Sequence, residues 1–181
     1  MCSLYEFTQK KIRYVAVELG LGSFQPHFNG EVLQHRYGDC KDKASLLIAL
    51  LRSVDLSAYP VLLRTRDEGK MDRDSPSLSF NHMIVAVPRP EGYLFVDPTA
   101  EWTPLGELPW PDQGVLALVV RDDGVADVTE TPLASPDLNR RRHAVEARLA
   151  LNGDLEGITT IDFWGSDRDA MNELRENPTT S

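Results

Sequence analysis

Three residues of this sequence have types and positions suited to nucleophilic chemistry: Cys40, His82 and Asp97. A thiol attacks as its thiolate. It then needs an imidazole to hold its proton and a carboxylate to orient that imidazole. Cys40 lies in the stretch Arg36-Tyr37-Gly38-Asp39-Cys40-Lys41-Asp42-Lys43-Ala44. Asp39 suits an N-cap, because its carboxylate can accept hydrogen bonds from the free N–H groups of a first helical turn. Cys40 then takes the first helical position, at the positive end of the helix dipole, where a thiolate is favoured. A lone cysteine is more often a small buried hydrophobe, so its role turns on whether a His and a carboxylate can reach it.

Of the four histidines, His27 and His35 precede this helix and His143 lies far downstream. His82 alone sits on a predicted core strand, Phe80-Asn81-His82-Met83-Ile84-Val85. If Arg89 and Pro90 form the loop of the following hairpin, His82 stands directly opposite Asp97. Opposed residues share a sheet face. A loop longer by two residues would make them diagonal neighbours on one face, and a slip of one would put them on opposite faces. Without a partner thiol, His82 reads as a satisfied core histidine and Asp97 as the cap of the Pro98-Thr99 turn.

The elements that must position these residues follow from periodicity. Ala44, Leu47, Ile48, Leu51 and Val54, widened by Leu46 and Leu50, give one buried helical face after Cys40. Leu4 to Lys11 reads as a helix tail, Ile12 to Glu18 as a short strand and Gly20 to Ser23 as a loop. Pro26 to Gln34 reads as a helix with Phe28, Val32 and Leu33 inward. Strands are expected over Ala58–Thr65, Phe80–Val87, Tyr93–Asp97 and Gly114–Arg121, with Val128 to Pro132 closing this part. Asp67 to Ser79 is polar, a surface loop or cleft rim. Glu101 to Gln113 is coil over the sheet, with Trp102 and Trp110 as packing residues. Beyond Ser135-Pro136, Val145–Leu151 and Leu155–Phe163 read as a hairpin joined by Asn152-Gly153, a type I′ signal. Ser166 to Glu176 could begin a helix. Two strands and a helix make no independent core. The expected division is therefore residues 1–134 as one core, and residues 135–181 as a linker and the truncated start of a C-terminal β-rich domain.

A net charge of −9 argues against a nucleic-acid partner and against an anionic membrane surface, and Arg140-Arg141-Arg142 reads as a solvated edge. No apolar run is long enough to span a membrane, so this segment is not expected to insert in one. Cys2 and Cys40 are too few for a disulfide framework, and both are expected to be free. No Cys/His spacing suits zinc, so neither a metal nor a cofactor is expected.

Gly-Asp-Cys opening a helix, then Asn81-His82, then Phe95-Val96-Asp97-Pro98-Thr99 and Thr103-Pro104-Leu105-Gly106, resemble the transglutaminase-like superfamily, closest to its bacterial members. The likeness covers roughly residues 10 to 133. It implies an α+β, papain-like core: the Cys-bearing helix packed on an antiparallel β-sheet, followed by the first hairpin of a β domain. It implies Cys40 as nucleophile, His82 as general base and then acid, and Asp97 as the orienting carboxylate. A thioester intermediate would be resolved by water or an amine. The Cys40 N–H would be one oxyanion donor and Tyr14, aligned through Pro26, the second. The implied partners are a peptide or protein substrate and flanking β domains of the full-length chain. The implied setting is exported or periplasmic. Superfamily members include peptidases, amidases and transglutaminases, and some have lost catalysis. The readings left open are thus a cysteine acyl-transfer enzyme and a catalytically silent scaffold that binds a peptide or partner domain.

Overall fold

A computed structural model of the chain describes residues 1–16, 25–69, 71 and 79–165. The Gly20–Ser23 loop, most of the Asp67–Ser79 segment and the Ser166–Glu176 helix lie outside the described residues. The chain divides into two compact units, Met1–Leu133 and Ala134–Ser181.

The first unit runs α1 (Cys2–Lys11), β1 (Arg13–Tyr14), α2 (Asn29–His35), β2 (Tyr37–Gly38), α3 (Cys40–Arg52), β3 (Tyr59–Leu63), β4 (His82–Arg89), β5 (Gly92–Val96), β6 (Leu116–Val120) and β7 (Ala126–Glu130). The last five strands form one antiparallel sheet in the order β5-β4-β3-β6-β7, while β1 and β2 make a short parallel pair. This is a mixed α+β architecture.

Helix α3 is held on the sheet by the face its sequence period gives it. Ala44, Leu47, Ile48 and Leu51 are buried against Val85, Val87 and Val96, with Ala58 and Tyr5 completing the layer. Each large side chain contributes about 1.5–3 kcal/mol of burial. On the sheet's other face Val61, Leu63, Ile84, Ala86, Phe95, Ala117 and Val119 pack with Leu108 and Val115 of the flanking coil. The sheet is therefore covered on both sides. That is why Ile84-Val85-Ala86-Val87 is apolar without alternation. A third cluster, Ile12, Val32 and Leu46, ties α1 and α2 to the flank of α3.

Several expectations shift. Of the described residues in the expected 12–18 strand, Arg13–Tyr14 pair as β1, and Ile12 is the buried C-cap of α1; residues 17 and 18 lie outside the described residues. The second helix starts at Asn29, so Phe28 becomes its extended N-cap and is 82% exposed, while Leu33 also reaches the surface. Val54 lies past the end of α3 and is exposed. The β4–β5 loop is Pro90-Glu91, because Arg89 pairs with Gly92. Strand β3 stops pairing at Ala86, so Pro88 meets no ladder on that side and the strand continues through it.

Among its described residues the second unit forms a hairpin, β8 (Arg141–Leu149) and β9 (Leu155–Phe163), paired Leu149 with Leu155 through Arg141 with Phe163. Its loop has five residues rather than two. Gly153 takes φ +92° but Asn152 does not have positive φ, so the expected type I′ turn does not form.

Candidate active site

The N-terminus of α3 is fixed by a complete capping box. Asp39 Oδ1 accepts from the N–H groups of Lys41 at 2.8 Å and Asp42 at 3.1 Å. Asp42 Oδ2 accepts from the Asp39 N–H at 3.1 Å. Asp42 also accepts the His27 backbone N–H at 2.7 Å, which ties the incoming segment to the same turn. The Lys41 ammonium pairs with the Asp39 carboxylate. This frame places Cys40 at the first helical position, where the backbone N–H groups have no partner in the helix ladder. Cys40 is buried, at 7% exposure, and free of any disulfide.

His82 opens β4. Its approach is pinned by Asn81, whose N–H donates to Leu63 O at 3.1 Å and whose side chain exchanges hydrogen bonds with the N–H and hydroxyl of Thr65. His82 Nε2 lies 3.2 Å from Asp97 Oδ2, and Cys40 is near enough to the same imidazole to help raise its pKa. The register is not the direct opposition expected. With Val85 across from Val96, Asp97 falls opposite Ile84 and sits diagonal to His82 on the same face. Asp97 also caps the turn after it: the Thr99 N–H at 2.8 Å and hydroxyl at 2.7 Å both donate to Oδ1. Asp97 thus bonds His82 and caps its own turn at the same time.

Charge follows geometry. Burial alone would lower the His82 pKa. The Asp97 charge, their hydrogen bond and the contact with Cys40 outweigh it and hold the imidazole well above its usual range. Burial would raise Asp97, but the charge and hydrogen bond of His82, with the Thr99 bonds, bring it below the usual carboxylate range. The proton between them therefore resides on Nε2.

Tyr14 is on β1. The register sets it beside Gly38, two residues before Cys40, and it is 47% exposed.

Three contributors went unread in the sequence. Tyr5 of α1 is buried, with its hydroxyl 3.1 Å from Asp97 O and 2.9 Å from Thr103 O, and so braces the acid's turn. Lys43 is 1% exposed and donates to the C-terminal carbonyls of α1, Gln9 O at 3.2 Å and Ile12 O at 2.7 Å. Burial drops its pKa to about 8 despite the opposing pull of Asp97 and Glu101. Asp112, in the Pro-Trp coil, brings a second buried carboxyl to His82. The signal for Lys43 was its place on the apolar side of α3, four residues before Leu47. The signal for Asp112 was an acid within an otherwise apolar Trp110-Pro111 run. His82, Asp97 and Asp112 bring ligand-type atoms within 4.8 Å of one another, close enough for a cation, but Nε2 is already committed to Asp97.

The family model of the transglutaminase-like superfamily matches residues 3–98, just over half of the chain. The chain belongs to that superfamily. Among solved structures it is similar to a protein from Parabacteroides distasonis ATCC 8503, provisionally named a protease, with a TM-score of 0.50 and 15% identity. That alignment covers 83% of this chain and 30% of the other, so this chain spans under a third of that protein's length. At such identity the likeness shows the fold alone. A comparison with the curated proteins finds no match.

Proposed function

We propose that the chain carries a cysteine-dependent acyl-transfer centre, with Cys40 as nucleophile, His82 as general base and acid, and Asp97 as the group that orients His82. The observation that carries this reading is the His82 imidazole, which bonds Asp97 through Nε2 at 3.2 Å and whose pKa the neighbouring Cys40 helps to raise. The Cys40 proton passes to the other ring nitrogen, Nδ1. The thiolate attacks an amide or ester carbonyl carbon, and the carbonyl electron pair moves onto oxygen. The Cys40 N–H and the Tyr14 hydroxyl stabilise that oxyanion. His82 then protonates the departing amine or alcohol as the C–N or C–O bond breaks, leaving a thioester. Water or an acceptor amine, deprotonated by His82, attacks the thioester and releases the thiolate.

The substrate class is a peptide or protein. The net charge of −9 favours basic or amine-bearing segments. The provisional protease name of the structural relative is compatible with the hydrolytic branch, and flanking β domains of a longer chain would supply further substrate contacts.

A second reading, a silent papain-like scaffold that binds a peptide or partner domain, is favoured by the low exposure of Cys40. The pH dependence of iodoacetamide alkylation separates the two. The enzyme reading expects Cys40 to react readily at about pH 6, where an ordinary thiol of pKa about 8.5 is slow, and His82→Ala to remove that reactivity. A Cys40 inert in both proteins would leave the scaffold reading. Full turnover of a peptide substrate by Cys40→Ser would end the enzyme reading.

A further inference from the structure

The reading above uses one of two buried carboxyls beside His82. The other is Asp112, which ends the 3₁₀ turn Trp110–Asp112 and is 1% exposed. Its backbone is anchored at both ends: its N–H donates to Pro109 O at 3.1 Å and its carbonyl accepts from the Thr131 hydroxyl at 2.5 Å. Asp112 Oδ2 points at the centre, 3.9 Å from His82 Nε2, the nitrogen that bonds Asp97. The Asp112 and Asp97 carboxyls bring oxygens within 4.8 Å of each other. Yet Asp112 Oδ2 is buried with no hydrogen-bond partner among the described residues.

Two ionised carboxylates cannot hydrogen-bond one another, because both only accept. An orphaned buried acceptor is costly, and two anions in one buried site are costlier. A proton held between the carboxyls removes both penalties. Asp97 already receives hydrogen bonds from His82, the Thr99 N–H and the Thr99 hydroxyl, all of which favour its charged form. The proton therefore belongs to Asp112.

We propose that Asp112 is a positioning residue of this centre: it keeps its carboxyl proton, donates it to the Asp97 carboxylate and holds that carboxylate against His82 Nε2. This rests on the Cys40–His82–Asp97 reading. The charged groups facing Asp112 are Asp97 after β5, His82 on β4 and Asp67 on the neighbouring 3₁₀ turn (Arg66–Glu68), while Arg66 stacks over Trp110. Burial and the charges of Asp97 and Asp67 raise its pKa well above the carboxylate range, against the opposing charge of His82. Ionisation of Asp112 at alkaline pH would remove the hydrogen bond and set a second anion beside the imidazolium.

The test is the pH profile of Cys40 alkylation by iodoacetamide in the wild type, His82→Ala, Asp112→Leu and Asp112→Asn. Asp112→Leu removes the donor, and its reactivity at pH 6–7 is expected to fall about tenfold, the size of one lost hydrogen bond. Asp112→Asn keeps an N–H donor that cannot ionise. It is expected to recover to within about threefold of wild type and to lose the wild type's alkaline decline. Should Asp112→Leu not fold, the altered alkaline limb of Asp112→Asn decides alone. A wild-type Cys40 whose reactivity ignores His82→Ala overturns the triad reading and this proposal with it. A His82-dependent Cys40 whose profile is unchanged in both Asp112 variants overturns this proposal only.

Discussion

Gly38 and Asp42 are so close that a Cβ on Gly38 would lie 2.5 Å from the Asp42 Cβ and 2.9 Å from its Oδ2. Asp42 cannot retreat. Its carboxylate already accepts the Asp39 N–H and the His27 N–H, and its Cβ is rigidly attached to α3. The glycine before Asp39-Cys40 is therefore a steric requirement of the cap that places the thiol. Gly38→Ala is expected to cost about 1–3 kcal/mol, the usual range for overpacking a close contact. Thermal unfolding measures that loss, and slower alkylation of Cys40 in the folded variant would show the displaced thiol. An unchanged melting temperature would mean that the cap tolerates a methyl group and does not set the position of Cys40.

The His82–Asp97 pair makes a prediction that needs no substrate. With its pKa held well above the ordinary 6.5 by Asp97, the imidazole is expected to stay doubly protonated at pH 7. The sign for stability follows. A His whose folded pKa is raised contributes stability that is fully present below the unfolded value and is lost as pH rises through the folded one. Asp97, lowered on folding, contributes stability above its unfolded value and loses it as pH falls through the folded one. Nitrogen-15 chemical shifts of His82 report the protonation directly. Two protonated ring nitrogens at pH 7 are expected in wild type, and one neutral tautomer in Asp97→Ala. A neutral imidazole in wild type would contradict the ion pair.

The centre of the site was legible because its signals are local. Asp39, Asp42 and the spacing from Ala44 to Leu51 specify a capped amphipathic helix within a dozen residues, and the cap and the buried face formed as that pattern requires. His82 and Asp97 share a face because a period of two survives a register shift of two, so the error in the loop left the juxtaposition intact. What could not be read depends on long-range closure. Tyr5 meets a carbonyl 92 residues away, and Asp112 reaches His82 from a coil with no period to follow. Phe28 is exposed rather than inward because the helix begins at Asn29, three residues after Pro26, which makes Phe28 its N-cap.

Lys43 gives the last prediction. Its ammonium is buried against two carbonyls of α1, with a folded pKa of about 8 against 10.5 in the unfolded chain. Below pH 8 both states hold the proton, and the cost of burying the charge is present in full. Between about 8 and 10.5 the unfolded chain binds more protons than the folded one, so stability must rise with pH across that window. The rise is on the order of 3 kcal/mol for a shift of this size. Lys43→Met removes the titrating group and leaves the carbonyls of Gln9 and Ile12 without their donor at every pH. The difference between wild type and variant in urea-unfolding free energy should therefore grow in favour of the wild type from pH 8 to 10.5. Taking the difference removes groups common to both proteins, such as Tyr93 and Lys41, whose pKa values are raised on folding. A difference that stays flat across the window would mean that Lys43 keeps its ordinary pKa and that the carbonyl cage stabilises the charge as well as water does.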